Sequence, residues 1–231
     1  MGRFRGLKRR VESLLNSADW GGRIGELDDT EPKELIGPLF SLLMHAGETR
    51  WRAITLFGPT VARLADQRME EGRIVMRRFM WNLNEESGSL GWGSPEAMAE
   101  TMAVHEGLAR EFHRVLVSYI HDTGKAGNYI DHAPLRKGAF WGVARLANVR
   151  PGLMAEAASA LLAGLTDRED AEIPGLAAWG LGPLMVPEAA PGLAALADDA
   201  TPVELFRDFE LQRTTVGALA REALLGLETA P

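Results

Sequence analysis

The 231-residue chain contains no cysteine. Disulfide frameworks, thiolate metal sites and cysteine nucleophiles are therefore excluded. Long apolar runs are missing as well. The longest uncharged stretch, residues 173–187, has 15 residues and three prolines, too short and too broken to span a bilayer. The first ten residues carry five basic side chains, but no apolar run of signal-peptide length follows them. No segment keeps a two-residue alternation rich in Val, Ile and Thr, the mark of a half-buried strand. Nor is there a G-x-S-x-G elbow, a P-loop or a Rossmann glycine fingerprint. These absences lead to the expectation of a soluble, cytoplasmic, non-membrane protein without cofactor.

Charge is present in quantity and unevenly spread. The net charge is −7, with 25 Lys and Arg against 32 Asp and Glu, and the basic first ten residues mask a more acidic remainder. Residues 166–210 hold ten acids and two bases, a distribution that repels phosphate backbones and disfavours nucleic acid as a partner. Residues 50–80 run the other way, with seven arginines against three acids.

Helical periodicity dominates the rest. Phe112, Val115, Leu116, Tyr119 and Ile120 fall at i, i+3, i+4, i+7 and i+8, and Val216, Leu219, Ala220, Ala223 and Leu224 repeat that stripe. Leu153, Ala157 and Leu161 line a face behind Pro151, which suits a first helical turn. Phe4, Leu7, Val11, Leu14 and Leu15 give the N-terminus an apolar side that docks on the first repeat, with an acidic partner or anionic lipid as the alternative contact. Glycine and proline at "FGPT", "EIPG", "LGPL" and "VPEAAPG" predict helices of about 10 to 15 residues.

Many short amphipathic helices invite a search for repeats. Leu56-Phe57-Gly58, Phe140-Trp141-Gly142 and Ala178-Trp179-Gly180 recur, with Gly142 and Gly180 separated by 38 positions and Gly58 and Gly142 by 84. A period near 40 places a missing unit in "GWGSPEAMAETM". The pattern, with Arg50…Ala53…Phe57-Gly58 and Arg136…Ala139…Trp141-Gly142, resembles the HEAT-like repeats, including those of phycobilisome-lyase type. The resemblance implies an all-α fold, an α-solenoid (α-α superhelix) of about five HEAT-like helix pairs. Each pair buries its apolar face only by stacking on neighbours. The expected organisation is one repeat domain over residues 1–231: a capping helix and loop to residue 30, repeats over 31–226 and a short tail. In such repeats the small residue marks a close helix approach, and an arginine pairs with acids of the following repeat.

The richest candidate site is "WNLNEESGSLGWGSPEAMAE", residues 81–100. Three glycines within six residues break the preceding helix, and Ser94 is expected as the N-cap of the next, with Pro95 at its first position and Glu96 beside its dipole. The loop between is long for a compact repeat, and such loops often carry function. Trp81 and Trp92 would form an apolar wall, with Asn82, Asn84, Glu85 and Glu86 as convergent polar groups and Arg77 and Arg78 as flanking cations. The structural alternative has the glutamates pairing with Arg77 or Arg78 and the tryptophans closing the core.

Metal chemistry finds no pattern. His105 and His113 do not match H-E-x-x-H, and His113 and His121 stand about 80° out of register on a helix. The segment from Asp122 offers Gly124, Ala126 and Ala133 where a calcium loop needs oxygen ligands.

The sequence thus favours a non-enzymatic scaffold or adapter whose partner is another protein, with a second copy of the chain as a further candidate. Arg77 and Arg78 on one side and the acidic 166–210 region on the other would supply complementarity. Two rivals follow from resemblance: a small-ligand protein or lyase-like enzyme with Glu85 or Glu86 as acid/base, and a DNA glycosylase-like protein in which Arg77, Arg78, Trp81 and Glu85 mimic a lesion site. The acidic second half opposes the last of these.

Overall fold

The computed structural model describes residues 2–84, 91–125 and 127–229, and these are overwhelmingly helical. In order come α1 (Gly2–Leu15), α2 (Trp20–Arg23), α3 (Pro32–Leu42), α4 (Gly47–Gln67), α5 (Met69–Asn84), α6 (Ser94–Val104) and α7 (Glu106–Ser118). Then follow α8 (Ala133–Val149), α9 (Pro151–Met154), α10 (Ala158–Gly164), α11 (Ile173–Leu181) and α12 (Ala190–Leu196). A hairpin of β1 (Pro202–Arg207) and β2 (Glu210–Thr215) precedes α13 (Val216–Glu228). The chain divides into two compact units, one of residues Met1–Ala109 with Phe206–Leu211, the other of Arg110–Leu205 with Gln212–Pro231.

In the first unit α4 is the central element, packed on α3, α5 and α6, while α1 rests on α3 and α4. Phe40, Phe57 and Phe79 bring one ring each from α3, α4 and α5 to mutual centroid distances of 5.0–5.1 Å. Such edge-on and tilted clusters add to the area they bury. α6 is buried along residues 94–103, so its sequence shows small and apolar residues on every side rather than one stripe. It occupies the position where the 40-residue period required a unit. Gly58 explains the close approach: a Cβ there would lie 2.8 Å from Val104 Cγ2 and 3.2 Å from the Glu100 carbonyl.

The second unit repeats this logic. α11, buried along its whole length, packs on α8, α10 and α13. A Cβ on Gly180 would stand 3.1 Å from the Cα of Ala144 on α8. The stripe predicted for α13 is realised, with Val216, Leu219, Ala220 and Ala223 in the core, and Thr215 Oγ1 accepts from the Ala218 N–H as N-cap. Successive helix pairs joined by small-residue contacts make the fold an all-α α-solenoid.

Several local expectations are revised. "FGPT" does not end a helix; Gly58 and Pro59 lie inside the 21-residue α4. The 151–164 stretch is not one helix but α9, a 3₁₀ turn at Ala155–Ala157 and α10. Of its predicted face Ala157 and Leu161 are buried, while Leu153 is half-buried and Met154 takes the core position beside it. Gly93, at φ 72°, is the N-cap of α6, which puts Ser94 and Pro95 one position further in. α7 stops at Ser118, so His121 lies beyond it. The hairpin was missed because its turn is Asp208-Phe209, both at positive φ, where Asn-Gly or Asp-Gly would be the readable signal.

Candidate binding surface

α5 carries two opposed stripes. Gly72, Val75, Met76 and Phe79 face the core, at i, i+3, i+4 and i+7. Ile74, Arg77, Arg78 and Trp81 repeat that spacing on the outside, with Ile74 50% and Trp81 68% exposed. Asn84 continues this exposed row and Asn82 is half-buried on its flank. Trp81 therefore does not close the core. A tryptophan exposed to that degree beside an exposed isoleucine is an apolar patch held in water on a rigid helix.

The arginines on this face are held from below. Arg77 Nη2 bonds Glu70 Oε1 at 2.5 Å, and Arg73 reaches the same carboxyl at 3.5 Å. The hydrogen bond from Arg77, followed by the two guanidinium charges, keeps Glu70 below the usual carboxylate range despite some desolvation. Arg78 lies over the Phe40 ring with its guanidinium carbon 3.8 Å from the centroid, and its partial burial lowers its pKa. Both cations are thus held by contacts within their own unit.

Trp92 sits at the foot of α6, half-buried, with the Arg50 guanidinium 5.5 Å from its ring centroid. Arg50 in turn donates to the His45 carbonyl at 2.6 Å. Glu85 and Glu86 lie outside the described residues, so the convergent polar part of the predicted site rests on the sequence. The candidate residues fall into two places: Arg77, Arg78, Trp81, Asn82 and Asn84 on α5, and Trp92 at the start of α6.

The arginine-to-acid ladder expected of such repeats is realised elsewhere. Arg136 on α8 has a side chain only 1% exposed; Nη2 meets Glu169 Oε2 at 2.6 Å and Asp167 Oδ2 at 3.7 Å. Its Nη1 donates to the Asp131 carbonyl at 3.0 Å. Lys137 beside it bonds Glu172 at 2.6 Å.

Sequence reading also missed a cleft of about 430 Å³ in the first unit. Trp20 of α2, Glu48 and Arg52 of α4, and Phe206, Asp208, Phe209 and Glu210 of the hairpin tip surround it. Trp51 stacks on Phe206 at 5.1 Å and 3°, and Trp20 meets Phe209 edge-on at 6.0 Å. The signal available was aromatic composition: Trp20, Trp51, Phe206 and Phe209 have no common period along the chain. The buried carboxylates of α6, Glu96 and Glu100, also went unread as core groups; both are engaged with neighbouring groups. Among the described residues no cluster of His, Asp and Glu has the makings of a metal site.

No protein-family model matches the sequence, and no curated protein matches it. Solved structures do. An engineered protein superposes with a TM-score of 0.52 at 14% identity, covering 96% of each chain. A designed armadillo repeat protein in complex with the peptide (KR)4 superposes with a TM-score of 0.51 at 17% identity, covering 94% of this chain and 98% of the other. The likeness is one of fold. It supports the helical-repeat architecture, and among the described residues no helix is long and apolar enough to cross a membrane.

Proposed function

We propose that the protein is a non-enzymatic, cytoplasmic scaffold or adapter built on HEAT-like repeats of the phycobilisome-lyase type, and that it binds another protein through the outer face of α5. The observation that carries this reading is the exposed Ile74–Arg77–Arg78–Trp81 row. Trp81 and Ile74 supply desolvatable area, and the anchored Arg77 and Arg78 direct an acidic partner surface onto it. The armadillo neighbour solved with a peptide belongs to the same class of fold, which is compatible with this use but does not define it. The proposed contact takes in Trp92, Asn82 and Asn84 and, on sequence grounds alone, Glu85 and Glu86 as polar groups.

The test is partner capture with purified variants. Trp81→Ala removes an exposed ring, so the fold should hold within about 0.5 kcal/mol, while partner affinity should fall tenfold or more. Glu85→Gln should leave binding intact. Loss of a turnover on Glu85→Gln or Glu86→Gln, with binding retained, would instead establish the lyase-like reading.

A further inference from the structure

The cleft at the hairpin tip is independent of the α5 face, and its chemistry is different. The geometry points to a binding site for an organic cation, an alkylammonium or guanidinium group, between the Phe209 ring and the carboxylates of Asp208 and Glu210.

Three observations converge. The volume, about 430 Å³, is within the usual range for ligand clefts. Its aromatic walls already accept a guanidinium: Arg52 lies 5.5 Å from the Trp20 centroid. Arg52 itself is engaged on Glu48 and on the carbonyls of Leu15 and Ser17, so the remaining charge of the cleft is not neutralised by it. Asp208 has Arg207 Nε at 4.0 Å, and Glu210 forms no ion pair among the described residues.

Phe209 completes the argument. It adopts φ 65° at the second turn position, where glycine or asparagine is normally found and a bulky side chain is strained. The ring so held is 61% exposed and meets Trp20 at 6.0 Å and 63°, so much of its surface is open to a cation. Backbone strain that keeps a large aromatic at the mouth of a cleft is expected where that ring is used.

Two sources could deliver such a cation: a free quaternary ammonium, or a lysine or arginine side chain of a partner segment. Calorimetric titration of the full chain with choline, with its neutral isostere 3,3-dimethylbutanol, and with a short Lys/Arg peptide separates them. Saturable binding of choline alone assigns a small-molecule source; tighter binding of the peptide assigns a partner segment. In both cases the isostere should bind at least about tenfold more weakly, and Phe209→Gly and Glu210→Gln should each weaken binding about three- to fivefold. Phe209→Gly also relieves the left-handed strain, so its thermal midpoint should not fall, which separates loss of ligand from loss of fold. Absence of saturation by any cation up to about 10 mM, equal binding of the neutral isostere, or unchanged affinity in both variants would overturn the site. Trp81→Ala should leave this titration unaltered, so failure here is distinct from failure of the α5 contact.

Discussion

At the scale of single residues, the buried charge of Arg136 and the buried hydroxyl of Tyr119 make opposite demands. Burial works against the Arg136 cation, yet its bond to Glu169 and the charges around it raise its pKa overall. Arg136→Leu would strand the nearly buried Asp167 and two carbonyls, and should cost about 3 kcal/mol in chemical denaturation. Glu169→Gln, at an end of the pair that is 72% exposed, should cost under about 1 kcal/mol. Tyr119 is 3% exposed and burial pushes its phenol to about 12. Because the folded state holds that proton more tightly than the unfolded chain, the stability tied to it is complete below pH 10 and is lost as pH rises towards 12. The shift corresponds to roughly 2–3 kcal/mol. Urea midpoints at pH 9 and 11.5 should therefore diverge in the native chain and diverge less in Tyr119→Phe. The identity of Arg136 as part of a repeated motif was legible from its spacing to Ala139 and Trp141, but its acids, 31 and 33 positions on, were not.

At the scale of elements, periodicity was a dependable guide wherever one face meets water. α13 read directly because polar and apolar residues separate by angle. Of the stripe predicted along α7, Leu116, Tyr119 and Ile120 are buried, but Phe112 and Val115 are half-buried and the helix ends at Ser118, before the last two. The signal failed where tertiary packing overrules local preference. Pro59 lacks an N–H and should end a helix, at a cost of about 3 kcal/mol in an interior position. α4 runs through it because both flanks are buried against α3, α5 and α6. α6, wrapped on all sides, has no stripe to read. The glycines in the repeat were legible as markers, and at Gly58 and Gly180 their role is close helix contact. Gly58→Ala should destabilise by about 1–3 kcal/mol, since the gain in helix propensity is outweighed by overlap with Val104 and the Glu100 carbonyl. Gly152→Ala, with nothing within 4 Å of its new methyl, should be neutral or slightly stabilising. Thermal unfolding of the two variants side by side checks the assignment of close helix approach to Gly58.

At the scale of the whole molecule, the exposed row of α5 is the feature that folding does not account for. Its inner face builds the core, while its outer face keeps a tryptophan and an isoleucine in water and anchors two arginines beside them. The sequence singled out Arg77, Arg78 and Trp81 through local density of aromatic and basic residues. Their spacing puts them on one face with Ile74 in any helix, but that this face meets water and the Gly72–Phe79 face meets the core depends on how α5 packs against α4. The hairpin cleft was illegible for a related reason: Trp20 and Phe209 are separated by nearly the whole chain.

The decisive measurement is native mass spectrometry of the protein isolated gently from its own cells, alongside Trp81→Ala produced in the same way. A discrete additional protein mass is expected on the native chain, and its loss from a variant whose helicity and thermal midpoint are unchanged. A bare chain, a bound small molecule in place of a protein, or a partner retained equally by Trp81→Ala would contradict the assignment of α5 as the binding face.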